Sequence, residues 1–316
     1  MTRKVTDMEQ QEVTLPAQIR QVATIGSVPP LNSLMFAMGA GDMLVNGLPE
    51  PFSRGPRWKY QTVFSPAIAN KPMMQGPDRT PDIEVLLRAD PDLVVTMTRP
   101  LVDVMRRHHL PVVFLAWRAP DDVKAAMRLL GEIFDKPAVA ERYAAYFDGV
   151  VARVATAVAQ AGAQRPTVLY LSAATLEQPH LIAEWWITAA GGTSVTNDGR
   201  STESKKFTLE QLFAWDPDVL ILNSPSDRQI IARDERFRRL KAVANRHVYL
   251  IPVGAHTWAH RTAEQPLTVL WAAKILHPEI FADMNLQAEV QNFYTTFFGV
   301  TLSETQVQEI LDGSHG

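Results

Sequence analysis

The sequence predicts an α/β protein of two lobes, each with a mostly parallel sheet, joined by one long helix. Three observations carry this: a repeated motif, the same order of strands and helices around both copies, and a long helical pattern between them. The motif is Glu-x5-Asp-Pro-Asp followed by an apolar run, at residues 82–95 (DIEVLLRADPDLVV) and 208–221 (TLEQLFAWDPDVLI). Glu84 matches Glu210, Leu86 matches Leu212, and Asp90-Pro91-Asp92 matches Asp216-Pro217-Asp218. In each copy a short helix runs from the Glu and stops before Asp-Pro, because proline disfavours helix at the residue preceding it. The apolar run that follows has the length and composition of a buried parallel strand.

The surroundings repeat in the same order. Upstream of the first copy, QVATIGSVPPLNSLMFAMGAGDMLVNG reads strand, loop, helix, glycine stop, strand. TVLYLSAATLEQPHLIAEWWITAAGGTSVTND reads the same way before the second. Downstream, LPVVFLAW (110–117) answers HVYLIPVG (247–254). Strands alternating with helices imply Rossmann-like parallel sheets. Between the halves, Val139, Tyr143, Tyr146, Phe147, Val150, Val154 and Val158 recur at helical spacing. Pro137 suits the first turn and Gly162 the stop. About 25 residues at 1.5 Å each make a helix of about 40 Å, enough to bridge two lobes. The expected organisation is a polar N-terminal segment (1–20), an N-terminal lobe (21–136), the backbone helix (137–163) and a C-terminal lobe with a helical tail (164–316). In that tail Leu267, Leu270, Trp271, Lys274 and Ile275 read as a surface helix.

Composition narrows the function. The 316 residues are 46% hydrophobic and 21% charged, an ordinary globular balance. The net charge is −3 and no long basic block occurs, which argues against nucleic acid as a partner. No run of about 18 apolar residues predicts a transmembrane helix. The absence of cysteine excludes disulfides, thiolate metal sites and cysteine nucleophiles. No G-x-G-x-x-G follows a strand, and neither a phosphate-loop motif nor a G-x-S-x-G elbow occurs. Glu184 and Asp198 are linked to no base or nucleophile, so an enzyme is not expected and no catalytic residue is assigned.

The Gly-Ala-Gly-Asp of 39–42, the two Glu-x5-Asp-Pro-Asp segments, the Ala-Gly-Gly of 190–192 and the long central helix together resemble one family over about residues 20–300. It is that of the helical-backbone (class III) periplasmic substrate-binding proteins of ABC importers, receptors for ferric siderophores, haem and cobalamin. The resemblance implies a ligand cleft between the lobes and a periplasmic or extracytoplasmic location, although residues 1–20 lack the apolar core of a signal peptide. It also implies an ABC permease in the inner membrane as partner, met by one glutamate per lobe. Glu84 and Glu210 are the matching positions; each also reads as a solvated carboxylate near a helix N-terminus, favoured there by about 0.3–1 kcal/mol.

Ligands of open α/β sheets sit beyond the carboxyl ends of the strands. Ser27 follows the first strand, where it can cap the next helix or help hold an anion. The stretch PFSRGPRWKYQTVF brings Arg57, Trp58 and Tyr60 together, a combination of cation and aromatic ring suited to a flat anionic chelate or to an ordinary anchored loop. Arg99 and Trp117 follow the next two strands. In the second half Trp185, Ser224, Trp258, His260 and Arg261 occupy comparable places, with Trp185 rather than Trp186 expected on the ligand side. His256 and His260 have i,i+4 spacing but no nearby third ligand, so no metal site is assigned and an anion-holding role for His260 or Arg261 is preferred. His108 and His109 precede a strand and are expected on the surface.

These residues predict a transported ligand rather than a permanent cofactor. It is expected to be a ferric siderophore or related metal chelate, captured by a monomer. Haem (with Tyr60 or His260 as axial ligand), cobalamin and an oxyanion such as molybdate are the alternatives.

Overall fold

The computed structural model describes residues 1–50 and 52–315; Pro51, which opens the aromatic and cationic stretch, and Gly316 lie outside them. The chain divides into two compact units. Unit 1 comprises Met1–Ala145, Gly254–His256 and Phe293–Thr301; unit 2 comprises the rest.

Unit 1 opens with a hairpin, β1 (Thr2–Thr6) and β2 (Glu12–Pro16), paired antiparallel. The first 20 residues are polar by composition, yet Val5, Val13 and Leu15 alternate inward and are buried. Next come β3 (Val22–Ile25), α1 (Val28–Ala37), α2 (Tyr60–Phe64), α3 (Ile83–Ala89), β4 (Leu93–Thr96), α4 (Arg99–Arg106), β5 (Val112–Phe114) and α5 (Pro120–Ile133). The strands form a parallel sheet in the order β3-β4-β5, and Leu44 extends it by one parallel bridge to Val22. The strand expected after Gly-Ala-Gly-Asp is thus reduced to that bridge, because a 3-10 turn over Gly41–Met43 takes up the segment. Ala23, Ile25, Val94, Val112 and Phe114 pack with Leu86, Val102 and Met105 to form the core. Phe36, Phe64, Tyr294 and Phe298 make a second aromatic cluster that ties Phe293–Thr301 into this unit.

The helix α6 (Pro137–Gln160) starts in unit 1 and continues into unit 2. It stops where Gly162 turns left-handed at φ 58°.

Unit 2 repeats the plan. It holds β6 (Thr167–Leu171), β7 (Glu177–Gln178), α7 (Ile182–Ala189), β8 (Thr193–Ser194), β9 (Lys205–Lys206), α8 (Leu209–Trp215), β10 (Val219–Leu222), α9 (Pro225–Arg233), α10 (Lys241–Ala244) and β11 (Val248–Leu250). The sheet is parallel in the order β11-β10-β6-β8, and β7 pairs antiparallel with β9 outside it. Its core joins Leu169, Leu171, Leu220, Leu222 and Leu250 to Leu212, Ile231 and Phe237.

The twin motifs behave alike. The helices α3 and α8 both end on a left-handed aspartate, Asp90 at φ 47° and Asp216 at φ 35°. The next aspartate ties down the neighbouring strand. Asp92 accepts from the N–H groups of Arg20 and Gln21 (2.7 and 3.0 Å), and Asp218 from the N–H and hydroxyl of Thr167 (2.7 and 2.8 Å). The motif is therefore a helix stop, a chain reversal and an anchor for the adjacent strand in one.

The tail contains α11 (Gln265–Leu276), α12 (Leu286–Phe293) and α13 (Glu304–Asp312). Here the sequence misleads, since α11 is not a surface helix. Every residue from Gln265 to Ala273 is buried, because its small and apolar positions run all round the axis. The long amphipathic stretch after Asn285 is also broken, at the left-handed Gly299.

Candidate ligand-binding site

In unit 1 the turn leaving β3 is closely built. Gly26 sits at φ 94°, and a Cβ there would come 2.5 Å from the Thr98 hydroxyl, so only glycine fits. Gln75 clamps it, accepting from the Gly26 N–H (2.7 Å) and donating to its carbonyl (3.0 Å). Ser27 stands at the start of α1 without a side-chain cap bond, contrary to the capping expectation; its hydroxyl instead accepts from Arg79 at 3.5 Å. The loop geometry after Ser27 explains this, since Pro29 and Pro30 leave no N–H for the hydroxyl to reach.

Trp58 is half-buried and stacks on His256 (5.2 Å, 25°), with Phe52 edge-on at 5.1 Å. The Arg57 guanidinium lies over the Trp58 ring at 5.4 Å. Tyr60 and Trp117 are enclosed at 0% and 4% exposure, so they serve the core rather than offering a ring to solute. Arg99 is committed to carboxylates, at 2.6 Å from Glu9 and 3.1 Å from Asp103.

Unit 2 collects polar groups at the carboxyl ends of its strands. Tyr170, one residue from the end of β6, donates to the Asn223 side chain at 2.6 Å; Asn223 is the first residue after β10. His260, on the loop after β11, meets the same hydroxyl at 2.9 Å through Nε2. With the tyrosine proton given to Asn223, the imidazole is the donor. His180, which follows β7, lies against His260 with ring centroids 4.7 Å apart. Arg261 Nη1 reaches His180 Nε2 at 3.3 Å, and Arg261 Nη2 holds a carboxylate oxygen of Glu203. The other oxygen of Glu203 is 3.2 Å from His180 Nδ1.

The loop that carries His260 and Arg261 is fixed from several sides. The Trp258 N–H donates to Pro252, its carbonyl accepts from Thr268 (2.8 Å), and Trp186 Nε1 donates to the Ala259 carbonyl (3.1 Å). Trp258 itself is wholly buried, so it supports the loop and has no face for a ligand. Trp185 stacks on Phe147 of α6 (5.6 Å, 22°), which turns it towards the backbone helix. Ser224 is held in the cap of α9 by Asp227, whose carboxylate accepts from both its N–H and its hydroxyl at 2.8 Å.

Of the residues read from the sequence, the structure therefore groups Arg57 with Trp58, and His260 with Arg261. Sequence reasoning missed Tyr170, His180, Glu203 and Asn223. Asn223 had a usable signal, as a polar residue directly after a buried strand; the others lie far apart in the chain and meet only through strand pairing. Among the described residues no three His, Asp or Glu side chains cluster in a way that could hold a metal ion.

Two docking candidates remain at the surface. Glu84, in the first turn of α3, pairs with Arg88 at 2.6 Å, and both are well exposed. Glu210 occupies the same turn of α8. Hydrogen bonds from its own N–H and from Thr208, with the nearby Arg236 charge, hold its carboxyl below the usual value.

A family model described as periplasmic binding protein matches residues 49–253, which takes in both copies of the repeat. The molybdate-binding protein MolA of Haemophilus influenzae is 29% identical over 97 residues; the match spans 30% of this chain and only 28% of that relative's length. Among solved structures, a periplasmic solute-binding protein of Veillonella parvula superposes with a TM-score of 0.83 at 24% identity, covering 98% of this chain and 97% of that one. MolA bound to molybdate gives 0.80 at 20% identity, with 95% and 99% covered. A protein of the Fe3+-hydroxamate transport system of Saccharomonospora viridis gives 0.64 at 21%, with 87% and 99% covered. These structural likenesses establish the fold, and the family match, extending across α6 and both repeats, establishes that the chain belongs to the periplasmic binding protein family.

Proposed function

We propose that the chain is the extracytoplasmic substrate-binding component of an ABC importer, and that its ligand is a metal-bearing anion delivered unchanged to a membrane permease. The observation that carries this is the cluster at the strand ends of unit 2, where His180, His260 and Arg261 bring imidazole and guanidinium groups together around Tyr170. Such donors suit charge-assisted hydrogen bonds to oxygen anions. A compact oxyanion such as molybdate is the ligand that best matches them, and the name of the relative MolA points the same way. An anionic ferric chelate is the second reading. It is favoured by the half-buried Trp58 with Arg57 over its face, and weakened by the burial of Tyr60, Trp117 and Trp258. In either case the protein acts as a monomer without a resident cofactor.

Calorimetric titration with molybdate, tungstate, sulfate and ferric hydroxamates decides between the readings. The oxyanion reading expects molybdate and tungstate to bind at micromolar concentration or below. Binding of the ferric chelates alone would replace it with the second reading.

Glu84 and Glu210, at the same position in two repeated helices, are proposed to meet arginines of the permease. The variants Glu84→Ala and Glu210→Ala should retain ligand affinity within about twofold, which is under 0.5 kcal/mol, while abolishing transport in a reconstituted uptake assay. Strong loss of affinity in either would remove the docking assignment.

A further inference from the structure

The strand pair β7–β9 has a consequence for the unit 2 cluster. Its antiparallel register sets Glu177 opposite Lys206 and Gln178 opposite Lys205. Continued by two residues, the same register brings His180 opposite Glu203, and there their side chains meet. Glu203 spreads its two carboxylate oxygens over two different groups, one on Arg261 Nη2 and one 3.2 Å from His180 Nδ1. That is how an oxyanion would use the same pair. Resting on the reading of this cluster as an anion site, we infer that Glu203 is an internal competitor for the ligand. Its carboxylate holds the donors an incoming anion needs, so that binding is an exchange of one anion for another.

Exposure says which partner can leave. The Glu203 side chain is 49% exposed, whereas those of Arg261 and His180 are 22% and 16% exposed. The segment bearing Glu203 is held at its base and open at its tip. Arg200 donates to the Thr196 carbonyl (2.7 Å) and pairs with the enclosed Glu184 (2.9 Å), while Lys205 reaches Asp198. Residues 201–204 between these clamps are exposed. Glu203 can therefore withdraw by turning its own side chain while the loop stays in place. A carboxylate that served only to orient Arg261 would be expected on the enclosed side of the guanidinium instead.

An internal competitor has a distinct signature. It lowers the apparent affinity of every anion by the same factor, set by the fraction of time the donors are free. Simple removal of a nearby negative charge acts differently, helping a dianion about twice as much in free energy as a monoanion. Molybdate and perrhenate are tetrahedral oxyanions of charge −2 and −1, so they separate the two effects. Their affinities for wild type, Glu203→Gln and Glu203→Asp are measured by calorimetry, with thermal unfolding as a check that each variant folds.

Glu203→Gln should tighten molybdate and perrhenate alike, about five- to tenfold each and equal within twofold, with Glu203→Asp between it and wild type. Binding by Glu203→Gln where wild type shows none would support the inference still more strongly. A gain for molybdate near the square of that for perrhenate would overturn it in favour of through-space repulsion. Unchanged or weaker binding in Glu203→Gln, with wild type binding molybdate, would overturn it and leave the proposed function standing. Absence of binding in wild type and variant alike would overturn both this inference and the oxyanion reading on which it rests.

Discussion

At the end of β3 in unit 1, polar side chains are spent on one another; at the end of β6 in unit 2, most are partly open to solvent, the charged Arg261 and Glu203 among them. The unit 1 network is neutral and enclosed. The Thr24 N–H donates to Asn46 (2.8 Å), its hydroxyl to Asn32 (2.7 Å), Asn32 to Gln61 (2.8 Å), and Gln61 to the Ala255 carbonyl (2.5 Å). All four side chains are at most 1% exposed. A satisfied buried network of this kind fixes a unique packing, and its donors are already engaged. In unit 2 the equivalent place holds a buried Tyr170 and, around it, His180, His260, Arg261 and Glu203, all of which reach solvent. The two units share a scaffold, repeated to the level of single aspartates, while the chemistry laid on the strand ends has diverged.

The largest expected effect tests that contrast. Arg261→Ala should lower affinity for molybdate about 100-fold or more, the equivalent of nearly 3 kcal/mol. Arg99→Ala, after β4 of unit 1, should change it less than threefold, because its partners, Glu9 and Asp103, are not members of the unit 2 cluster. Equal losses in a calorimetric comparison would break the division of labour between the units.

A smaller effect concerns the shared scaffold. Asp218→Ala should destabilise the protein by about 1–2 kcal/mol, through the bonds lost from the Thr167 N–H and hydroxyl. Asp92→Ala, which loses two N–H partners and no hydroxyl, should cost about 1 kcal/mol. Burial raises the Asp218 carboxyl, but hydrogen bonds from Thr167 and Lys241 outweigh it and hold it below the ordinary 3.8. A carboxyl depressed in the folded protein contributes stability above its unfolded value, and that contribution is lost as pH falls through the folded value. The gap between wild type and Asp218→Ala in urea unfolding should therefore be full at pH 6 and narrow as pH falls below about 4.

How far the sequence speaks differs between scaffold and site for a physical reason. Proline after aspartate and an apolar run after it are local signals, so the twin helix stops, the strands and the long helix could be read directly. Burial of a ring is not local. Trp117 and Trp258 follow strands, as ligand-facing aromatics would, yet the backbone tucks both into the interior. Trp185 and Trp186 are adjacent on a helix, and spacing alone cannot say which faces Phe147 and which reaches Ala259. The polar cluster was half legible. His260 and Arg261 were visible as neighbours in one loop, while Tyr170, His180 and Glu203 are brought in by parallel and antiparallel pairing across tens of residues. The buried α11 was misread because small residues such as Ala272 and Ala273 suit a core as well as a surface.

The smallest effect separates the two copies of the motif at their most alike position. Asp90 and Asp216 both adopt left-handed backbone at a helix end, where glycine avoids a Cβ penalty of about 1 kcal/mol. Glycine also gives the unfolded chain more freedom, at a cost of about 0.5–1 kcal/mol. For Asp90→Gly these terms nearly cancel, so stability should stay within about 0.5 kcal/mol of wild type. Asp216 does more, since its carboxylate accepts from the Lys241 N–H at 2.9 Å and caps the start of α10. Asp216→Gly loses that bond as well, and should be about 1 kcal/mol less stable than Asp90→Gly. Urea unfolding of the two variants measures the difference directly. Equal stability would mean that the two copies are equivalent as scaffold, and that unit 2 is distinguished by its cluster alone.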